Sequence, residues 1–361
     1  MRWNGIDNGT NRRDNPGVRI LFSRVFNPRF EHLPEYITAA FRGLGHEVVE
    51  HDYRGFALPG RLREACGVLD RWDRRRLNRG LLEVARRFKS DLFLTTFGGS
   101  IEPATVEAIR RETGAAAANW FADFPGAPGV LERGLWVGHA YNRLFFQSTD
   151  LMGIHAAWGH RRVSWLPPAC DPDIHRPVVL APEERRRYGC AVAFVGSRYP
   201  ERERLFETIA DLDVGIWGPG WDALRPGSPL VSRIRGGGTK PEDWTKIYAA
   251  ASVVVHFAGS GGQPVLPDTM KQAGPRVFEI LACGAFGLMD RKPDTAALFL
   301  DGEHLAFFDG ESDFRSKVLE WLGRPTDRAR IAAAGRAEAL AKHTYRHRVS
   351  EMLRILAEDR G

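Results

Sequence analysis

Arg276 and Glu279 stand three residues apart in an otherwise apolar stretch, GPRVFEILACGAFGLMD at residues 274–290. The opening Gly-Pro is typical of a helix start, and the glycine after the cysteine is typical of a helix end. Free N–H groups at the helix start and a guanidinium charge suit a phosphate. A carboxylate one turn further can accept from two adjacent hydroxyls, such as a ribose diol. The alternative is a surface ion pair, which contributes roughly a few tenths of a kcal/mol.

A second basic stretch, SRIRGGGTK at 232–240, places Arg233, Arg235 and Lys240 around three glycines. A mobile backbone with cationic side chains suits a diphosphate, whose charge must be stabilised when it leaves. The alternative is an exposed basic loop without a ligand. The residue pattern leaves both interpretations open.

Two tryptophans flank a glycine turn in IWGPGWD at 216–222, directly after a predicted strand. In a ligand-binding loop, Trp217 or Trp221 would form a wall for a nucleobase, and Gly218 would belong to the same loop. The alternative is a turn that carries a core tryptophan.

The first half of the chain offers a candidate base in NWFADFPG, where Asp123 follows a predicted strand. A carboxylate at that edge can take a proton from an acceptor hydroxyl. It can equally cap the turn or helix that follows. His32, which follows the loop after the first strand, and His155 are competing bases.

The composition narrows the class of protein. The net charge is +6, and the four cysteines are far apart without metal-ligand spacing, which indicates a reduced, cytoplasmic protein with buried thiols. The polar start and the lack of a long apolar run predict neither a signal peptide nor a membrane span.

The arginine runs at 71–76 and 185–187 are interpreted as solvated helix faces. The alternative is docking to an anionic acceptor or to a membrane face, so a peripheral membrane association stays open. Tryptophan and tyrosine are scattered rather than interleaved with these charges. That distribution disfavours a groove for single-stranded nucleic acid, and no nucleic acid is expected as a partner.

Short apolar runs alternate with helical patterns along the chain, and the alternation restarts near residue 190. This pattern predicts parallel sheets covered on both faces. No G-x-G-x-x-G or P-loop motif follows the first strand of either half, which argues against a dehydrogenase or an NTPase. We predict an α/β protein with two Rossmann-like, doubly wound domains that face a cleft. The predicted boundaries are a flexible arm at 1–17, a first domain at 18–175, a second domain at 176–344, and a C-terminal helix at 345–361 with the option of packing back on the first domain.

Several blocks resemble a known family. RVFEILACGAFGLMD at 276–290 resembles the donor-site motif of group 1 glycosyltransferases. CDPDIHRPV, VAFVGSRYPERERLF and HTYRHRVSEML resemble blocks of the spore-maturation-type, CgeB-like branch, and WFADFP also has a counterpart there. The resemblance covers roughly residues 18–356. It implies the GT-B fold, with a nucleotide-sugar on the second domain and the acceptor on the first.

The resemblance also implies roles for individual residues. Glu279 would hold the donor ribose and Arg276 would lie near the diphosphate. Gly196 and Ser197 would let the backbone approach the donor. Many retaining enzymes of the group carry a second glutamate eight positions before the first, where this chain has Lys271. That departure leaves the sugar contact and the stereochemical outcome open, and Lys271 is a candidate phosphate ligand instead.

These observations predict a metal-independent, cytoplasmic glycosyltransferase without a bound cofactor. It would move a sugar from a nucleotide-sugar to a hydroxyl or similar group of a glycan, protein or small molecule. The alternatives are a nucleotide-sugar epimerase on the same fold and a non-catalytic envelope or spore-coat binding protein. The predicted catalytic residues are Asp123 and His32; the predicted donor-binding residues are Gly196, Ser197, Arg198, Trp217, Gly218, Lys240, Lys271, Arg276 and Glu279.

Overall fold

The computed structural model describes residues 17–26, 33–121, 128–237, 240–258 and 271–359, with Pro128 described by its backbone alone. They form two compact units. Unit 1 comprises Met1–Pro167 together with Arg346–Gly361, and unit 2 comprises Pro168–Tyr345.

Unit 1 is built on a six-stranded parallel sheet in the order β2-β1-β3-β4-β5-β6. Its central strands are buried on both faces, as parallel sheets between helices require. The strands are β1 (Arg19–Arg24), β2 (Glu47–Asp52), β3 (Leu92–Thr95), β4 (Ala116–Phe121), β5 (Arg143–Phe146) and β6 (Val163–Trp165).

Helices cover this sheet, and the last of them comes from the C-terminal end of the chain. Arg143 of β5 forms a bidentate ion pair with Asp359, directly after that last helix. The helices are α1 (Leu33–Gly43), α2 (Gly60–Ala65), α3 (Gly67–Phe88), α4 (Pro103–Thr113), α5 (Pro128–Gly138), α6 (Thr149–Ala157) and α14 (Tyr345–Glu358).

Unit 2 is built on a second six-stranded parallel sheet, in the order β12-β11-β10-β7-β8-β9. The strands are β7 (Cys190–Val195), β8 (Val214–Trp217), β9 (Ile234–Gly236), β10 (Ala251–His256), β11 (Gly287–Asp290) and β12 (Ala306–Phe308). The helices are α7 (Pro182–Tyr188), α8 (Pro200–Glu207), α9 (Pro241–Ala250), α10 (Pro275–Ala282), α11 (Pro293–Ala296), α12 (Glu311–Leu322) and α13 (Pro325–Lys342).

The prediction of two doubly wound parallel domains is confirmed by these two sheets. The helix α10 also lies where the opening stretch predicts it. Its buried side chains pack in the core of unit 2, and Gly284 ends it with a φ of +71°.

The helices α5 and α6 contain glycines, which lower the helix propensity of both segments. The glycines of α5 serve packing instead. A Cβ on Gly134 would lie 3.1 Å from the Phe121 ring, and one on Gly138 would lie 2.6 Å from the His160 ring. Close approach of α5 to the sheet therefore outweighs intrinsic propensity.

The basic stretch at 232–240 is not wholly the loop expected from its composition, because it contains the edge strand β9. The Arg233 Nε donates to the Ala210 carbonyl (2.9 Å). Arg235 donates to the Gly189 carbonyl (2.6 Å) and pairs with Asp213. Both guanidinium groups therefore bind backbone carbonyls or carboxylates of unit 2.

The division between the units lies at Pro167, eight residues before the predicted boundary at 175. Cys170 belongs to unit 2 because its N–H donates to the His343 carbonyl and its carbonyl accepts from the Tyr345 N–H, both at 3.0 Å. From Arg346 the chain belongs to unit 1.

The thiols are free, and three of the four are buried. Cys66 is the exception to the predicted burial, because it lies half-exposed between α2 and α3. Within the described residues, no helix combines the length and the apolar character needed to cross a membrane.

The packing of α5 leads to a test of its glycines. Gly138→Ala should lower the free energy of unfolding by about 1–3 kcal/mol, because the new methyl group overpacks the His160 and Leu144 side chains. Gly153→Ala in α6 is the matched control, since its Cβ meets open space and should stabilise the helix by about 0.5–1 kcal/mol. Denaturant unfolding measures both, and equal effects of the two substitutions would contradict this account.

Candidate functional site

The strand order of unit 2 reverses between β7 and β10, which are neighbours in the sheet. From β7 the chain winds outward to β8 and β9, and then returns to β10, β11 and β12 on the other side. Ligands of such sheets bind beyond the carboxyl ends of the strands at this reversal. The candidate site is therefore built from the residues that follow β7, β10 and β11.

The loops after β7 and β8 interlock through glycines. Gly218 has a φ of +143°, and a Cβ there would lie 2.0 Å from the Gly196 carbonyl oxygen. That oxygen accepts from the Trp221 indole Nε1–H (2.9 Å), and the Gly196 N–H donates to the Trp217 carbonyl (2.8 Å). The two glycines thus let backbones meet, which any side chain at 218 would prevent.

The backbone N–H groups of the loop after β7 differ in whether they are already hydrogen-bonded. Those of Gly196 and Arg198 are used internally, because the Arg198 N–H donates to the Pro219 carbonyl (3.0 Å). The Ser197 N–H makes no hydrogen bond within the part of the chain that the structure describes. Of the three, Ser197 is the one whose N–H is available to a ligand.

Arg202 of α8 joins the loops on both sides of the strand-order reversal. Its Nη1 donates to the Ser197 carbonyl (2.8 Å), and its Nε and Nη2 donate to the Phe257 carbonyl (3.1 and 2.7 Å). Its guanidinium lies over the Phe194 and Tyr199 rings. Because the side chain is buried, its pKa is lowered from the usual value. A permanent charge is thereby fixed beneath the candidate site.

Glu279 is buried one turn into α10, at 6% exposure. Its Oε2 accepts from the Arg276 Nη1 at 2.6 Å, and the Arg276 guanidinium lies 3.8 Å from the centre of the Trp244 ring. The two side chains thus form the ion pair of the alternative interpretation, but they are only 26% and 8% exposed, so it is not a surface pair. A buried carboxylate with one oxygen paired and fixed retains acceptor capacity for a ligand.

His175 lies on the other side of this carboxylate. The Asp171 N–H donates to the His175 Nδ1 (2.9 Å), which places the proton of the neutral ring on Nε2. Nε2 lies 3.9 Å from the Glu279 Oε1. Burial lowers the pKa of His175, while the Glu279 and Asp171 charges oppose that shift.

His256 ends β10 at the start of α10, and its Nε2 would lie 2.7 Å from a Cβ on Gly274. The ring is buried, and Nε2 has no hydrogen-bond partner within the described residues. Burial, and after it the charges of Arg202, Arg276 and Lys292, together lower the pKa of His256 to about 3. These three cations therefore converge on one point of the sheet edge.

Asp290 at the end of β11 compensates part of this charge. It accepts from the Ala258 N–H (3.2 Å), and the Lys292 Nζ lies 3.3 Å from its Oδ2. Burial raises the pKa of Asp290. The cations at the edge outnumber the carboxylates that pair with them, which favours an anionic ligand.

The remaining predicted donor-binding side chains are spread along the same edge. Lys271 is exposed just before α10, and its carbonyl accepts from the Asp294 N–H (2.9 Å). Lys240 is exposed at the start of α9. Arg198 pairs with Glu203 (2.7 Å).

The Trp217 indole is 3% exposed and packs in the core of unit 2. Trp221 is buried as well. Both rings therefore agree with the alternative interpretation of a turn that carries a core tryptophan. Trp217 would contribute to a donor site through its backbone.

The predicted catalytic residues Asp123 and His32 lie outside the described residues. His155, the competing base, is buried in unit 1 against the Phe121 and Phe146 rings, and burial lowers its pKa to about 3. It is a core residue. Among the described residues, no group of three His, Cys, Asp or Glu side chains has an arrangement that would hold a metal ion.

Residues 198–354 match the family model described as glycosyl transferase-like. This part of the chain is a glycosyltransferase domain. The matched segment contains Arg202, His256, Arg276 and Glu279, whereas His175, Gly196 and Ser197 of the site precede it. None of the curated proteins matches the chain in sequence.

Solved structures with the same fold include several glycosyltransferases. HepE of Anabaena, in complex with UDP and glucose, superposes with a TM-score of 0.63 at 11% identity, over 94% of this chain and 100% of that one. The sucrose-phosphate synthase of Thermosynechococcus elongatus gives 0.64 at 11% identity, over 94% and 88%. The UDP-forming α,α-trehalose-phosphate synthase of Burkholderia vietnamiensis gives 0.63 at 12% identity, over 96% and 100%. The predicted GT-B fold is thereby confirmed.

Arg202, His175 and His256 are site residues that the sequence reasoning missed. His175 and Arg202 lie in two of the blocks that carry the family resemblance, CDPDIHRPV and VAFVGSRYPERERLF, so that signal was present. His256 follows the apolar run SVVV, where a polar residue at a strand end marks the ligand edge.

The environment of His256 leads to a pH prediction. Its ring should stay neutral well below pH 6.5, with a titration midpoint near the value of about 3. Because the folded-state pKa lies below the unfolded-state value, this histidine lowers stability progressively as the pH falls below about 6.5. NMR of the imidazole nitrogens, assigned with His256→Gln, measures the midpoint. A midpoint near 6.5 would show that neither burial nor the three cations lower the pKa of this ring.

Proposed function

We propose that the chain transfers a sugar from a nucleotide-sugar, in the first place a UDP-sugar, to an acceptor hydroxyl or similar group without a metal ion. The observation that carries the proposal is the buried Arg276–Glu279 pair at the start of α10, at the strand-order reversal of the glycosyltransferase domain. UDP in the HepE complexes supports the choice of base.

In this proposal Glu279 accepts from the two ribose hydroxyls of the donor. Its Oε2 is held by Arg276 and its Oε1 faces the His175 Nε2, so the carboxylate has a fixed orientation. A fixed, charged acceptor in a water-poor place discriminates strongly for hydroxyl donors. His175 acts as a positioning residue.

The diphosphate would lie against the start of α10 and the Ser197 N–H. The positive end of the α10 dipole lies at this edge, and Arg276 and Lys271 lie in or beside the first turn. When the bond between the sugar and the diphosphate breaks, the developing negative charge remains on the phosphate oxygens. These cations and N–H groups stabilise that charge, which is the role that a metal ion fills in other enzymes.

The acceptor side of the proposal rests on the sequence. Asp123, with His32 as the alternative, takes the proton of the attacking acceptor group. The acceptor is a glycan, a protein or a small molecule.

The reaction class is tested by incubating the purified chain with UDP-glucose, UDP-galactose and other nucleotide-sugars, with and without EDTA. We expect release of UDP at similar rates in both conditions. If none of the donors binds or is hydrolysed, the transferase proposal fails; if EDTA abolishes turnover, only the metal-independent part fails.

The role of Glu279 is tested with UDP and 2′-deoxy-UDP as paired ligands. The wild-type chain should bind UDP about 10–100-fold more tightly, because the deoxy compound leaves an acceptor of Glu279 without a hydroxyl. Glu279→Gln should weaken UDP binding and reduce that preference, as calorimetry can measure.

Glu183→Gln is the matched control, because Glu183 is an exposed carboxylate of the same unit that pairs with Arg186. Circular dichroism and thermal unfolding establish that each variant is folded. A folded Glu279→Gln chain with the wild-type preference would show that the carboxylate only pairs with Arg276.

A further inference from the structure

Unit 1 exposes a patch of large apolar side chains on α2 and the first turns of α3. Leu62, Val68, Leu69 and Trp72 are 51%, 64%, 37% and 52% exposed. We name the patch, with the arginines described next, the α2–α3 surface. Clustered exposure of this kind marks a site of interaction, whereas single exposed apolar residues are ordinary.

Four exposed arginines belong to the same surface, and none makes an ion pair or a side-chain hydrogen bond within the described residues. The neighbouring arginines in the chain, in contrast, are paired with carboxylates. Asp70 accepts from Arg63 and Arg74, and Asp73 accepts from Arg76. Asp70 and Asp73 are thus already compensated, and Glu64 of α2 forms no ion pair with the other arginines within the described residues. The four are Arg61, Arg71, Arg75 and Arg79.

The helical spacing orders the apolar and charged groups along α3. Val68, Trp72, Arg75 and Arg79 follow one another at intervals of three or four residues, so they share one face. The apolar residues come first and the arginines follow. This arrangement places an apolar end of α3 before a row of guanidinium groups.

The first turns of α3 lie on the side of the sheet of unit 1 at which β2 and β3 end. The Asn78 side chain donates to the Ser100 carbonyl and accepts from the Glu102 N–H, both after β3. The eleven residues of α3 before Asn78 span about 16 Å along the helix axis. Asp73 anchors them, because it accepts from the Ala57 and Leu58 N–H groups.

We propose that the α2–α3 surface docks on the face of an anionic lipid membrane. Trp72, Leu69 and Val68 would enter the boundary between headgroups and acyl chains, as amphipathic helices do. Arg71, Arg75 and Arg79 would pair with lipid phosphates, which guanidinium groups bind in bidentate fashion. The uncompensated arginines favour this occupant over a second copy of the chain, whose matching surface would carry the same charge.

The experiment uses sedimentation of the full chain with lipid vesicles, and it does not depend on the donor site. Vesicles of phosphatidylcholine with about 30 mol % phosphatidylglycerol are compared with phosphatidylcholine alone. We expect binding to the anionic vesicles, and its weakening as the salt rises from about 0.1 to about 0.5 M.

Two variants separate the apolar and the charged parts of the surface. Arg71→Gln with Arg75→Gln should lower the partition coefficient about 30-fold, as two interfacial charges predict. Trp72→Ser should lower it about 10-fold. The matched controls are Arg185→Gln with Arg187→Gln, which remove two exposed arginines of α7, and Trp158→Ser, which removes a tryptophan that is 61% exposed.

The proposal is supported if the surface variants lose vesicle binding, the controls keep it and all keep the wild-type affinity for UDP. It is overturned if the chain does not bind anionic vesicles, or if the controls weaken binding as much as the surface variants. It is also overturned if sedimentation velocity shows a dimer that Trp72→Ser dissociates, because the surface is then an interface between copies. Failure of the wild-type chain to bind UDP would contradict the proposed function and leave this proposal intact.

Discussion

A carboxylate buried beside a sheet must be paired, and in unit 2 this requirement organises the ligand edge. Glu279 is held by Arg276, Arg276 lies on the Trp244 ring, and His175 faces the second carboxylate oxygen. Leaving either partner of a buried pair alone costs several kcal/mol, at about 3–5. The pair therefore fixes the first turn of α10, and it fixes the segment around His175 against that turn.

Arginine has two different uses in the chain. Some guanidinium groups donate hydrogen bonds to backbone carbonyls outside the helices and strands, as Arg202 does to Phe257 and Arg348 does to Pro167. Five fixed donors and a permanent charge suit this task. Others, such as Arg71 and Arg75, are exposed and uncompensated. The net charge of +6 therefore does not show which arginines are held in hydrogen bonds and which are exposed.

Glycine sets how closely the elements of both units approach. In unit 1 the glycines of α5 bring the helix against Phe121 and His160, and in unit 2 Gly218 lets one loop cross the Gly196 carbonyl. In each place the absence of a Cβ is a packing requirement that outweighs helix or strand propensity. The ligand edge of unit 2 depends on the second of these contacts, because it holds the Ser197 N–H in place.

The sequence by itself determined the elements whose signals are local. The alternation of strands and helices, the short helix between Pro275 and the glycine at 284, and the three-residue spacing of Arg276 and Glu279 all follow from local pattern and propensity. The tertiary structure alone decided what those residues meet. Arg202 reaches the site from α8 and His256 from the end of β10, and Trp217 packs in the core. Arg233 and Arg235 donate to backbone carbonyls instead of lining a ligand loop. The physical reason is that burial and long-range hydrogen bonds depend on the order of strands in the sheet, and local sequence carries no record of that order.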